Sequence, residues 1–191
     1  MKTTEEKILR AATQVFARHG VSGATTRAIA RQARVNEVTL FRHFKNKNEL
    51  LRRVILQSSR RFEQVFSAAP LKTASDLRRT VENYASVYVE KLSENEEFVR
   101  TFLGELNRHL KLCRSLFVEA GRPVRQRFVA YLRAARRNGL VRADLDVVTA
   151  ADALSAMLLG GIMRRPLTAA EYSTRRYVKT CVKLYLKGIQ P

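Results

Sequence analysis

Residues 25–44 read Thr-Thr-Arg-Ala-Ile-Ala-Arg-Gln-Ala-Arg-Val-Asn-Glu-Val-Thr-Leu-Phe-Arg-His-Phe, and their spacing decides the fold. Thr25 and Thr26 stand where a short helix opens, and Ile29, Ala30 and Ala33 fall on its inward side. Arg34, Val35 and Asn36 form a tight turn, and the Asn36 side chain is placed to accept from the first amides of the next helix. That helix carries Leu40, Phe41 and Phe44. The small Ala30 allows the two helices to cross closely, while Ile29, Val35 and Leu40 fill the wedge between them. This is the pattern of a helix-turn-helix, whose second helix enters the DNA major groove with its first residues toward base edges. Glu37, Val38, Thr39, Arg42 and His43 remain on a mixed, outward face.

Working outward, a first helix is expected over Thr4 to His19. Thr3 and Glu6 have capping-box spacing, Ile8, Ala12, Val15 and Phe16 form one apolar stripe, and Gly20 stands where the helix stops. After the motif, Asn46 with Glu49 opens a fourth helix bearing Leu50, Val54, Phe62 and Phe66. Leu77, Val81, Tyr84 and Tyr88 then lie on one face of a longer helix begun by Thr73 and Asp76. A segment over about 95–112 follows, then a helix between Pro123 and Gly139 with Val124, Phe128, Tyr131, Leu132 and Ala135. Residues 146–163 form a nearly all-apolar helix, and Thr168 with Glu171 is expected to cap a last one ending near Leu186. With 8 Gly and 4 Pro, and without runs of alternating β-branched residues, the chain is expected to be all-α with about nine helices.

Composition narrows the function. The 191 residues are 46% hydrophobic and 28% charged, which suits a folded protein. No uninterrupted apolar run reaches the roughly 20 residues of a membrane span, and the charged start lacks a secretory leader, so the expected location is the cytoplasm, with no membrane partner. Cys113 and Cys181 are expected to be buried, inert thiols. The formal net charge of +19 favours a polyanionic partner through phosphate neutralisation. Residues 1–50 hold 10 basic and 4 acidic side chains, and residues 51–191 hold 26 and 13, so charge alone does not locate a DNA face.

The run Thr39-Leu40-Phe41-Arg42-His43-Phe44-Lys45-Asn46-Lys47-Asn48-Glu49-Leu50-Leu51, with the segment from Thr25, resembles the DNA-binding domain of the tetracycline-repressor (TetR/AcrR) family. The signature spans about the first 55 residues; the remainder is similar only in length and helical pattern. The resemblance implies a DNA-binding domain over residues 1–47 and an effector-binding and dimerisation domain over 48–191. It implies that Thr26 and Arg27 meet phosphate and a base, and that Glu37, Val38 and Thr39 face bases or backbone. It places Phe41 where the family usually has a phosphate-donating Tyr, and gives His43 and Lys47 the role of clamping the DNA backbone. Arg42 is the candidate for a guanine, because its planar fork matches O6 and N7. Arg34 departs from the family's Gly; with φ kept positive it costs on the order of 1 kcal/mol.

A lone helix-turn-helix makes few base contacts, so a twofold dimer on double-stranded operator DNA is expected, with half-sites roughly 34 Å apart. For its interface the candidates are Leu154, Leu158, Gly161 and Ile162 of the apolar helix and Val178, Val182 and Tyr185 of the last; the resemblance pairs these helices as a four-helix bundle, although plain core is the alternative for each. Ala150, Ala153, Ala156 and Gly160 permit close helix approach. A small-molecule effector is implied, with pocket candidates Phe62, Phe66, Tyr84, Tyr88, Phe98, Phe102, Phe117, Phe128, Tyr131 and Met157. Glu105, His109 and Cys113 share a helical face, but eight residues of helix rise about 12 Å, too far for one ion, so no metal and no other cofactor is expected. The chain shows no nucleophile–base pair, phosphate loop or carboxylate cluster, so it is not expected to be an enzyme. A repressor released by its effector leads; a ligand-responsive activator and a non-specific nucleic-acid binder are the alternatives.

Overall fold

The computed structural model describes residues 3–57, 65, 71–105, 110–164 and 173–191, without the side chains at 57, 110–114, 116, 117 and 120. Phe62, Phe66, His109 and the side chains of Cys113 and Phe117 therefore lie outside the described residues. Among those described there are nine helices and no strand: α1 Thr4–Gly23, α2 Thr26–Ala33, α3 Glu37–His43, α4 Lys47–Gln57, α5 Ala74–Glu94, α6 Glu96–Glu105, α7 Leu110–Arg137, α8 Val147–Arg164 and α9 Thr174–Ile189.

The helix starts follow from side chains that satisfy the otherwise orphaned first amides. Thr3 and Glu6 form the reciprocal capping box of α1. Thr25 accepts from the Ala28 amide at 3.1 Å, and Asn36 Oδ1 from the Val38 amide at 3.0 Å. At α4, Asn46 Oδ1 accepts from the Glu49 amide at 2.9 Å while Glu49 Oε2 accepts from the Lys45 amide at 2.8 Å. α2 ends on Arg34 in the left-handed region, φ 57 and ψ 45, with its N–H bonded to the Ala30 and Arg31 carbonyls. A non-Gly residue thus occupies the strained turn position that the resemblance singled out.

Two units divide the chain, residues 1–59 with 95–121, and 60–94 with 122–191. In the first unit Leu50, Leu51 and Val54 of α4, and Phe98 and Phe102 of α6, are buried in one core with Ile8, Phe16, Ile29 and Leu40. The second unit buries Leu77, Val81 and Tyr84 of α5, Phe128 and Leu132 of α7, Leu154, Leu158 and Ile162 of α8, and Val182, Tyr185 and Leu186 of α9. Cys181 is free and buried there, as expected.

One expectation is corrected here. α9 is capped by Ser173, whose hydroxyl accepts from the Arg176 amide, so the described helix starts later than Thr168 and Glu171 suggested; that pair lies outside the described residues. α8 is long and apolar enough by length and composition to cross a membrane, although one side of it packs in the second core.

Candidate nucleic-acid interface

α3 reaches the protein interior chiefly through Leu40, which is fully buried with Phe44 just beyond the helix. Everything else on it is turned outward or sits at the edge. Val38 and Phe41 keep 60% and 48% of their surface exposed, and Arg42 and His43 are exposed beside them. A seven-residue helix with two large apolar side chains in water has unspent contact area, of the kind that meets thymine methyls and deoxyribose. Around it, Arg27, Arg31, Arg34, Arg42 and Lys45 are exposed, and no ion pair ties any of them among the described residues. The result is a narrow helix offered outward from a free cationic surround.

Within that face several side chains are already committed. Thr26 Oγ1 donates to Glu37 Oε1 at 2.6 Å, locking the start of α2 to the start of α3. The Thr26 hydroxyl proton is therefore used inside the protein, and what the start of α2 offers an anion is the amides of Thr26 and Arg27, that of Ala28 being bonded to Thr25. Glu37 is half-buried with one carboxylate oxygen occupied, which makes it a strut as much as a base reader. Thr39 is half-buried on the same helix.

Lys47, which the resemblance makes a clamp on the DNA backbone, also holds the protein's own backbone. Its ammonium donates to the Val21 carbonyl at 2.9 Å and the Ala24 carbonyl at 3.0 Å, closing the C-terminal end of α1 and leaving one of three N–H donors for an outside partner. Lys47→Ala is accordingly expected to lower stability by about 1–3 kcal/mol in the absence of DNA, because two carbonyls lose a charged donor. A thermal melt of the DNA-free protein checks this; a wild-type melting temperature would return Lys47 to the DNA side alone.

The same end of α1 holds the residues that sequence reasoning missed. α1 is interrupted at Gly20, φ 70 and ψ 178, and the next amide, that of Val21, donates to Glu105 Oε2 of α6 at 2.7 Å. One turn earlier in α6, Thr101 Oγ1 donates to the Ala17 carbonyl at 2.8 Å. Glu105 thus serves a backbone amide, whereas sequence grouped it with His109 and Cys113. Among the described residues no group of three His, Cys, Asp or Glu side chains stands close enough to hold a metal ion.

The pocket candidates separate. Phe98 and Phe102 are stacked on each other in the core of the first unit, with centroids 5.7 Å apart, and do not join the others. Tyr84, Tyr88, Phe128, Tyr131 and Met157 gather in the second unit. The interface candidates also change: Leu154, Leu158, Ile162, Val182 and Tyr185 are buried within the subunit's own core, and a Cβ on Gly161 would run into the Tyr177 ring. Their burial is complete without a second copy. Only Val178 among them is half-buried, while Ala153 and Ala156 on α8 and Leu184 on α9 are exposed.

The description "bacterial regulatory proteins, tetR family" matches residues 8–54, and "AefR-like transcriptional repressor, C-terminal domain" matches residues 75–188. The HTH-type transcriptional regulator YvkB of Bacillus subtilis (strain 168) is 25% identical over 165 residues, 86% of this chain and 84% of that protein. Among solved structures, the fatty acid degradation regulator FadR from Bacillus halodurans is similar with a TM-score of 0.81 at 20% identity, covering 98% of this chain and 97% of that one. SmeT in complex with triclosan has a TM-score of 0.78 at 24% identity, with 100% and 93% covered. At such identities the two structures speak for the fold, while the two family matches cover the helix-turn-helix and more than half of the whole chain. The chain belongs to the tetR family of bacterial regulatory proteins and is a DNA-binding transcriptional regulator, not an enzyme.

Proposed function

We propose that the protein is a homodimeric repressor that holds a pseudo-palindromic operator in the cytoplasm and is released from it by a small-molecule effector. The observation that carries the DNA-reading part is the outward α3, with Val38, Phe41 and Arg42 exposed around a single buried anchor at Leu40. In this assignment Arg42 reads a guanine; Val38, Thr39 and Phe41 supply apolar and hydroxyl contact; Arg27, His43 and the start of α2 hold phosphates; and Lys47 adds its remaining donor. Two copies are needed because one such helix reaches only a few base pairs. The exposed line Ala153, Ala156 and half-buried Gly160 on α8, with Leu184 on α9, is the face through which they pair. Effector control is supported by the aromatic centre of the second unit and by the fold relative SmeT, which is known in complex with triclosan. An effector shifts operator binding only by the difference in its affinity for the two states.

Selection of bound duplexes from a random pool tests the reading. The expected product is a pseudo-palindrome with half-sites roughly 34 Å apart, bound about a thousandfold or more tighter than random DNA. Arg42→Ala should cost about 1–3 kcal/mol of operator affinity and relax base preference at one position per half-site. Recovery of duplexes without a shared sequence would leave the +19 chain as a non-specific binder and sink the proposal.

A further inference from the structure

Four aromatic rings from three helices run in contact through the second unit. Tyr88 and Tyr84 of α5 have centroids 5.7 Å apart, Tyr84 stacks on Phe128 of α7 at 4.4 Å, and Phe128 meets Tyr185 of α9 at 6.4 Å. Their hydroxyls are not equally provided for. Tyr84 Oη shares a 2.8 Å hydrogen bond with Ser155 Oγ of α8. Nearby, the Tyr177 hydroxyl donates to the Met157 carbonyl at 2.7 Å. Tyr185 Oη has no protein hydrogen-bond partner, alone among the buried side-chain nitrogen and oxygen atoms described, although the residue is only 7% exposed. Buried hydroxyls are ordinarily paired, and an unpaired one in an apolar core is unfavourable. Burial raises the pKa of Tyr84 and Tyr185 and pushes that of Tyr88 up to about 12, so all three are neutral phenols at physiological pH.

The surroundings say what would satisfy that hydroxyl. No Lys, Arg, Asp, Glu or His is buried among the described residues, and Thr80 is the one buried polar side chain outside the tyrosines. A charged ligand would lose its hydration there without a counter-charge, despite the basic surface. A flat apolar ligand would instead meet ring faces on several sides. We propose that the effector is an uncharged aromatic compound bearing a hydroxyl or carbonyl oxygen, and that it lodges beside the Phe128–Tyr185 pair with its oxygen paired to Tyr185 Oη. The inference rests on the effector-released reading above and specifies its ligand.

Three probes of one shape separate the possibilities on the full chain: 4-phenylphenol, biphenyl and biphenyl-4-carboxylate. Calorimetric titration should show 4-phenylphenol binding at least tenfold more tightly than biphenyl, with no binding of the carboxylate, and 4-phenylphenol should release the selected operator. Tyr185→Phe, which removes one oxygen and keeps the ring, should weaken 4-phenylphenol about tenfold, leave biphenyl where it was, and melt no lower than wild type. A purely structural tyrosine would leave the preference for the phenol unchanged in the variant. That result, tight binding of the carboxylate, or no binding of 4-phenylphenol overturns the proposal while operator binding stands. Failure of the wild-type chain to select an operator overturns the reading beneath it.

Discussion

Gly20→Ala is expected to destabilise the DNA-free protein by about 3–5 kcal/mol, visible as a fall of melting temperature on the order of 10 °C. Gly20 combines φ 70 with ψ 178, a region essentially closed to residues with a Cβ, and entering it costs about 1–3 kcal/mol. The new methyl would also overlap Glu105 Oε1, whose partner oxygen accepts the Val21 amide. Displacing the carboxylate orphans that amide, a loss of roughly 1.5–3 kcal/mol for a hydrogen bond to a charged group. Both penalties arise at one place, where Thr101, Glu105 and Lys47 together close the end of α1. The comparison variant is Gly139→Ala: φ is again +70, but a Cβ there meets nothing within 4 Å, so only backbone strain of about 1–2 kcal/mol is expected. A double-mutant cycle of Gly20→Ala with Glu105→Ala should be less than additive, because the second change removes the atom the first collides with. Equal losses at Gly20 and Gly139 would mean the carboxylate contributes nothing to the joint.

The features readable from sequence were those set by neighbours in the chain. Thr3 with Glu6, Thr25, Asn36 and Asn46 with Glu49 are caps completed within four residues, so spacing alone located the starts of α1 to α4. The left-handed backbone of Arg34 was legible only through the resemblance, which puts Gly at that turn. Glu105 was not legible. Its i, i+4 relation to His109 and Cys113 shows a shared face, whereas its actual partner is an amide 84 residues away. Lys47 looked like a phosphate ligand because the resemblance makes it one, and nothing local reveals that the Val21 and Ala24 carbonyls lie within its reach. Phe98 and Phe102 were grouped with the other aromatics because periodicity tells which residues are apolar, not which core receives them. α8 carried the ambiguity furthest: with apolar residues nearly all round, its inner and outer sides read alike, and only packing turns Leu154, Leu158 and Ile162 inward.

That orientation makes Ala156→Arg the sharpest test of assembly. Ala153, Ala156 and Gly160 recur at three and four residues along α8, hence on one face, and Ala153 and Ala156 are exposed in the single subunit. Small side chains allow a second helix to approach closely; an arginine at the centre of such a contact, repeated by the twofold, places bulk and like charge where neither fits. The variant should sediment as a monomer. Its operator affinity should fall at least a hundredfold, because the second half-site is then bound without the effective concentration that linkage provides, worth about 10²–10⁴. The fold itself should hold: arginine is a good helix former, and an exposed substitution of this kind changes stability by roughly 0.5 kcal/mol or less. Leu154→Arg supplies the contrast, since it forces a charge into the buried core and should unfold the second unit outright. A dimeric Ala156→Arg protein with unchanged operator affinity would move the pairing surface off this face of α8 and leave Leu184 on α9 as the next place to put the same charge.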